Sequence, residues 1–221
     1  MLEMQIVNNI NEYLKNNGIP FSNETRMGIG IPDISCNIGT PYHLTLIDDY
    51  FLLSILEFVN KKHFTSLHEI KNEFLMTIKK VKHYVIELAN MSFVKLKNDI
   101  VEAIMNIFST KLGTVISIEA KIRDWKNAYL QAQRYLCFSD YSYIAMPRIY
   151  IKNIEKDSFI KSGIGIISVE DGKVEEVLPA RKSDLCEFTL KYLITSKIMK
   201  NNTELKKSMI KYNIFSSLLV V

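Results

Sequence analysis

The stretch Ile116-Ser117-Ile118-Glu119-Ala120-Lys121-Ile122 decides how the chain is read. It has the composition of a strand, and strand side chains alternate between two faces. Ile116, Ile118, Ala120 and Ile122 fall on one face, and Ser117, Glu119 and Lys121 on the other. A carboxylate and an ammonium thus project side by side from an otherwise apolar segment. Burying either charge alone is costly, so the pair must be solvated, mutually paired or bound to something. A half-exposed strand with an ordinary ion pair accounts for these residues equally well, and the chain on either side has to decide.

Downstream, Asp124 is placed to cap a helix over Trp125–Phe138, with Trp125, Ala128, Tyr129, Ala132, Tyr135 and Leu136 at helical spacing. Ser142–Met146 follows as an apolar strand ended by Pro147. Strand, crossover helix and strand make a βαβ unit with a parallel pair. Ile164–Val169 and Val174–Leu178 read as a hairpin around Glu170-Asp171-Gly172-Lys173. Asp184 is read as the cap of a last main helix, Leu185–Met199, and the tail is expected to be partly helical and to pack its Ile214–Val221 end. Upstream, Leu2, Ile6, Ile10, Tyr13 and Leu14 mark a helix over Leu2–Asn16, stopped by Asn17-Gly18 with Pro20 beyond. Phe21–Met27 and Ile31–Ile38 read as a strand hairpin across Gly28-Ile29-Gly30, with Asp33 and Ser35 on one face of the second strand.

Between Asp33 and Glu119 the pattern changes. Asp48 or Asp49 can cap a helix over Tyr50–Asn60, and Lys61–Phe64 reads as a linker. Thr65 or Ser66 can cap a short helix to Phe74, and Thr77 a longer one to Asn90. Phe93–Lys97 and Ile100–Ala103 read as strands joined at Asn98-Asp99. Helices followed by a β-hairpin resemble a winged helix-turn-helix module, assigned to residues 45–106. Its long helix exposes Lys79, Lys80, Lys82 and His83 behind the cap Thr77. From Lys61 to Lys97 there are eight lysines against three acids and no arginine. These features point to contact with DNA phosphates more than to reading of guanine edges. A solvated lysine face on a protein-interaction module is the competing reading.

Taken in order, Gly30-Ile31-Pro32-Asp33, Glu119-Ala120-Lys121 and Gln131-Ala132-Gln133-Arg134-Tyr135 resemble the PD-(D/E)xK nuclease superfamily. Pro32-Asp33 matches its PD and Glu119-x-Lys121 its (D/E)xK. Gln131-x-x-x-Tyr135 and Gly30-x-x-Asp33 look like the QxxxY and GxxD elements of RecB-like nucleases. The resemblance implies an α/β (α+β), restriction-endonuclease-like mixed sheet flanked by helices, here residues 1–44 and 107–221, with the winged-helix-like module inserted. The interval from Asp33 to Glu119 is far longer than the family's usual one, which the insertion explains. The resemblance further implies a Mg2+- or Mn2+-dependent deoxyribonuclease. Asp33, Glu119 and the Ala120 carbonyl would hold the metal, Lys121 would orient or deprotonate the attacking water, and Gln131 would contact water or phosphate. Glu3 is the first candidate for an additional carboxylate, with Glu12 and Glu24 behind it. The alternative function is a non-catalytic DNA-binding regulator on the same fold.

Composition narrows the remaining choices. The chain has 221 residues, 48% hydrophobic, with a net charge of +4. That is a globular chain, mildly basic, compatible with a polyanion such as DNA. Cys36, Cys137 and Cys186 stand far apart, which argues against a disulfide framework or zinc knuckle. His43, His63, His68 and His83 have no metal-ligand spacing. Trp125 reads as core, and Arg134 and Arg148 as surface residues. No signal peptide or membrane span is evident, so the expected setting is cytoplasmic, with a homodimer possible.

Overall fold

The structure is a computed structural model that describes residues 2–41 and 44–202. In chain order its elements are α1 (Glu3–Asn16), β1 (Phe21–Asn23), β2 (Ile34–Ile38), α2 (Tyr50–Lys62), β3 (Phe64–Ser66), α3 (Leu67–Glu73), α4 (Ile78–Asn90), β4 (Val94–Lys97), β5 (Ile100–Ala103), β6 (Thr114–Ala120), α5 (Trp125–Tyr135), β7 (Tyr141–Pro147), α6 (Arg148–Ile151), α7 (Lys156–Ser162), β8 (Gly165–Glu170), β9 (Lys173–Leu178) and α8 (Phe188–Lys200). They divide into two compact units. The first takes in the described residues up to Leu46 and from Leu112 onward, and the second is Ile47–Lys111.

The first unit is a mixed six-stranded sheet in the order β1-β2-β6-β7-β8-β9, flanked by helices. β6, β7 and β8 run parallel, and the other neighbouring pairs are antiparallel. The helical stripe Ile6, Ile10 and Leu14 lays α1 on one face, against Ile34, Cys36, Ile116, Ile118 and Ala120. The opposite face meets α5, where Ala128 and Ala132 pack on Ile144 and Met146. Small residues let helix and sheet approach closely, and Ser142 Oγ donates to the Ala132 carbonyl at 2.8 Å. α8 is buried on nearly every side from Tyr192 to Met199, as an interior helix should be.

Covered on both faces, β6 is not the half-exposed strand that its composition allows. Ser117 and Glu119 are 0% and 1% exposed, the pattern of a central strand with helices above and below. The first hairpin is also shorter than its apolar pattern suggests. Glu24 turns to φ +48° and ends β1. Pro32 has no N–H for the ladder, so β2 starts only at Ile34. Asp33 therefore precedes the strand rather than lying on it.

Two helix boundaries also differ. α5 ends at Tyr135, whose carbonyl accepts from the N–H groups of Phe138 and Ser139 in a tight turn. α8 starts at Phe188, with Glu187 rather than Asp184 at the N-cap position and no side-chain capping bond. The preceding segment turns at Asp184-Leu185 and is pinned by Ser183, whose hydroxyl donates to the Leu136 carbonyl at 2.7 Å and accepts from Leu185 N–H at 3.1 Å. The short helices α6 and α7 fill the β7–β8 crossover, which the sequence reading leaves unassigned. The expected packing of Ile214–Val221 lies outside the described residues. Leading into β6, Gly113 sits at φ +67°, where a Cβ would fall 2.6 Å from the Ile38 carbonyl oxygen. A glycine is needed on both counts.

In the second unit the caps fall on Asp49, Ser66 and Thr77, whose side chains accept from Leu52, Glu69 and Lys80 N–H. Leu56, Val59, Ile70, Val81, Val85, Leu88 and Val101 close its core. Its sheet runs β3-β5-β4, all antiparallel. The expected linker at Lys61–Phe64 does not form. α2 continues to Lys62, His63 turns the chain at φ +63°, and Phe64–Ser66 pairs with β5. The unit also extends past residue 106. Ile107 is buried, and its N–H donates to Asn60 Oδ1 at 3.1 Å.

Candidate functional site

Strand register builds the site. β2 and β6 pair with Ile34 opposite Ile118, so Asp33, one residue earlier, comes level with Glu119. Asp33 Oδ2 accepts from Ala120 N–H at 2.7 Å. This bond fixes one carboxylate oxygen and leaves the second without a hydrogen bond among the described residues. Glu119 Oε1 lies 2.9 Å from Lys121 Nζ. Its Oε2 accepts from the Tyr135 hydroxyl at 2.6 Å. Lys121 Nζ also donates to the Ala120 carbonyl at 3.1 Å and lies 3.7 Å from Glu3 Oε2.

Tyr135 belongs to the site although sequence reasoning gave it no role beyond its place in Gln131-x-x-x-Tyr135. Its hydroxyl oxygen is 3.1 Å from the Ile31 carbonyl as well as bonded to Glu119. It thereby ties the Asp33 loop to β6. Gly30 makes room for it, since a Cβ there would stand 2.7 Å from Tyr135 Cε1. Gln131 lies one helical turn before Tyr135, on the same face of α5. Its Oε1 is buried with no hydrogen-bond partner, a state that calls for a reason. The signal for Tyr135 was available: two polar residues at i, i+4 spacing on the face that also carries Ala128 and Ala132.

Burial pushes the Asp33 carboxyl above its ordinary range, and Glu3 and Glu24 push the same way against the Ala120 N–H and Lys121. Burial likewise raises Glu119. Asp33 adds to this, while Tyr135 and Lys121 oppose it. Burial alone would lower Lys121, but its bond to Glu119 and the charges of Glu119, Asp33 and Glu3 outweigh it, and the net direction is up. Lys121 is therefore an ammonium at neutral pH. It fits charge neutralisation and orientation of water better than proton abstraction.

Among the described residues, no group of three or more His, Cys, Asp and Glu side chains is arranged to hold a metal. What the structure does bring side by side is the Asp33 carboxylate, bonded to Ala120 N–H, and the Glu119 carboxylate and Ala120 carbonyl, both on Lys121. The Lys121 ammonium rests on both Glu119 Oε1 and the Ala120 oxygen, at 2.9 and 3.1 Å. One or two carboxylates with water completing the shell is the pattern magnesium uses. Glu3 is aimed at Lys121 from the first turn of α1, with its side chain 50% exposed. Glu24 is exposed but hydrogen-bonds through its N–H to the Asp33 carbonyl at 3.1 Å. Glu12 is not brought in, lying about 13 Å beyond Glu3 at helical rise. His43 lies outside the described residues.

In the second unit, α4 exposes Lys79, Lys80, Lys82 and His83, and Thr77 uses its hydroxyl as the cap. Their surroundings differ. Lys82 Nζ is 3.6 Å from Asp99, and His83 Nε2 is 3.9 Å from Glu87. Lys80 Nζ lies over the rings of Phe51 and Tyr84, at 5.2 and 5.8 Å. Across Ile47–Lys111 nine lysines face eight acids, so the basic character belongs to this helix face and not to the unit.

No family model matches the chain, and no curated protein matches it. Among solved structures, a protein of unknown function from Silicibacter pomeroyi is similar over 42% of this chain and 60% of its own, at 19% identity and a TM-score of 0.32. No helix among the described residues is long and apolar enough to cross a membrane.

Proposed function

We propose that the protein is a metal-dependent nuclease hydrolysing phosphodiester bonds of DNA, on a PD-(D/E)xK, restriction-endonuclease-like core with a winged-helix-like insert. One observation carries the reading: Asp33, far from Glu119 and Lys121 in sequence, is brought beside them through the β2–β6 register, with Tyr135 locking Glu119 in place. Asp33, Glu119 and the Ala120 carbonyl would hold Mg2+ or Mn2+, which would supply positive charge to the phosphoryl oxygens and help acidify the attacking water. Lys121 stays protonated and neutralises developing negative charge. Gln131, whose buried Oε1 has no hydrogen-bond partner, would contact the attacking water or the phosphate, and Glu3 lies 3.7 Å from Lys121.

The second unit supports DNA as the partner. Its order of helices followed by a β-hairpin, with strands in the order β3-β5-β4, resembles a winged helix-turn-helix and supports that reading. In that arrangement α4 is the helix offered to duplex, with Thr77, Lys79, Lys80, Lys82 and His83 toward phosphates.

The test is cleavage of labelled single-stranded, duplex and branched DNA in Mg2+, Mn2+ or EDTA. Wild type is expected to cut only with metal, and Glu119→Gln and Lys121→Ala to leave the substrate intact. Cutting that persists in EDTA, or in both variants, contradicts the proposal.

A further inference from the structure

We infer that the cleft beside Lys121 is a subsite for a single nucleoside monophosphate unit. Arg123 holds its phosphate, and the wall of Pro147, Ile149 and Tyr150 takes its base. Its position next to the scissile phosphate rests on the nuclease reading; its ligand chemistry does not.

The cleft has a volume of about 560 Å³; its apolar lining is Ile122, Pro147, Ile149 and Tyr150, and its charged lining Glu3, Arg123 and Asp124. That size suits a small organic ligand. Glu3 connects it to the charged cluster, because the same carboxylate lies 3.7 Å from Lys121 Nζ. A ligand in the cleft is thus next to Lys121.

The lining is of two kinds. Ile122, Pro147, Ile149 and the Tyr150 ring make an apolar surface, and Ile149 is left 63% exposed on it. Against this surface stands one guanidinium. Arg123 Nε donates to the Tyr150 hydroxyl at 3.0 Å, and its Cζ lies 5.1 Å from the Tyr150 ring centre. Tyr150 therefore sets the direction of the guanidinium through Nε. The two terminal amino groups make no hydrogen bond or ion pair among the described residues. The acids nearby have other work: Asp124 caps α5 through Asn127 N–H at 3.1 Å, and Glu3 faces Lys121.

A free, oriented fork is the geometry that grips a phosphate through two parallel hydrogen bonds. An aromatic and aliphatic wall beside it is the surface on which a base lies. Inorganic phosphate would leave the wall unused, and a nucleoside would leave the fork unused. Glu3 and Asp124 bring negative charge to the same cleft, which disfavours a triphosphate. One phosphate and one base, the repeating unit of a nucleic-acid strand, satisfies all of these features.

The experiment is calorimetric titration of the whole chain, in EDTA, with thymidine monophosphate, thymidine, inorganic phosphate and thymidine triphosphate. Arg123 and Ile149 are exposed, so Arg123→Gln and Ile149→Ala should fold normally. The monophosphate is expected to bind most tightly of the four. Arg123→Gln should weaken it roughly tenfold or more, the scale of a lost charge-assisted hydrogen bond. Ile149→Ala should weaken the monophosphate while leaving inorganic phosphate unchanged. Monophosphate binding that is absent, no tighter than phosphate, or insensitive to Arg123→Gln overturns the inference. If this binding pattern appears but no DNA is cut with any metal, the subsite stands and the nuclease reading falls. If DNA is cut with the same KM by wild type and Arg123→Gln, the subsite falls alone.

Discussion

Tyr135 donates its one hydroxyl proton to a carboxylate that is 1% exposed. Tyr135→Phe leaves that oxygen of Glu119 buried without a donor, at a cost of about 1–3 kcal/mol. Urea denaturation should show that loss together with slower cleavage; an unchanged midpoint would mean that the 2.6 Å bond holds nothing in place. Gly30→Ala acts on the same ring from outside. Its Cβ would displace the Tyr135 edge, an overpacking cost of about 1–3 kcal/mol. Asp33 has the opposite sign. Burial raises its carboxyl, so the fold favours the protonated form. The native state then binds more protons than the unfolded chain, and stability falls as pH rises from the ordinary aspartate range, near about 4, through the raised value. Asp33→Asn can keep the bond from Ala120 N–H and removes that penalty. Thermal melts should show the variant more stable than wild type at neutral pH, with the gain disappearing in acid. A variant less stable at pH 7 would show that the Asp33 charge is stabilising.

At the level of elements, the cations of α4 are not equivalent. Lys79 has no acid within ion-pairing distance among the described residues, whereas Lys82 faces Asp99 at 3.6 Å. If α4 contacts duplex, Lys79→Gln should reduce the slope of log affinity against log salt by about 0.9, the value of one phosphate contact. Lys82→Gln should change it less, because that charge is already partly compensated. Equal slopes in wild type and Lys79→Gln would remove α4 from the interface. The same contrast explains what the sequence revealed about elements. Thr77 and Asp124 were readable as caps, and the other two caps to within one residue (Asp48 or Asp49, Thr65 or Ser66), because a cap is a local bond to an N–H three residues on. β3 was not, because Phe64–Ser66 becomes a strand only by pairing with Ile100–Glu102. Asp184 looked like a cap equally well, but Ser183 binds the Leu136 carbonyl and Glu187 N–H the Cys137 carbonyl, so Asp184 sits in a turn and the helix starts only at Phe188.

At the scale of the whole chain, the site joins segments that the Ile47–Lys111 unit separates in sequence. The charged residues could be named from their order and their resemblance to a nuclease pattern. Their meeting depends on the antiparallel register of β2 and β6, which side-chain alternation alone does not specify, and which sets Asp33 against Glu119 from just outside its strand. Tyr135, Gly30 and the Arg123–Tyr150 pair were less legible, because each role consists of a tertiary contact. A cation held by Asp33 and Glu119 also has a consequence for the entire fold. Binding to the native state alone adds about 2.7 kcal/mol at a hundredfold excess over Kd. Mn2+ or Mg2+ should therefore raise the melting temperature of wild type but not of Asp33→Asn, and equal shifts in both would place the metal elsewhere.

Asp33→Asn also permits the most direct test, because this variant is expected to be at least as stable as wild type and lost activity cannot then be ascribed to unfolding. The measurement is the rate of phosphodiester hydrolysis of labelled DNA in Mg2+ by the two proteins, purified in parallel, with EDTA as the control. The account predicts metal-dependent cutting by wild type and a fall of at least about a hundredfold in the variant, the scale of removing a group that stabilises developing charge. Equal rates for the two proteins, or no cutting by wild type in Mg2+ or Mn2+, would contradict it.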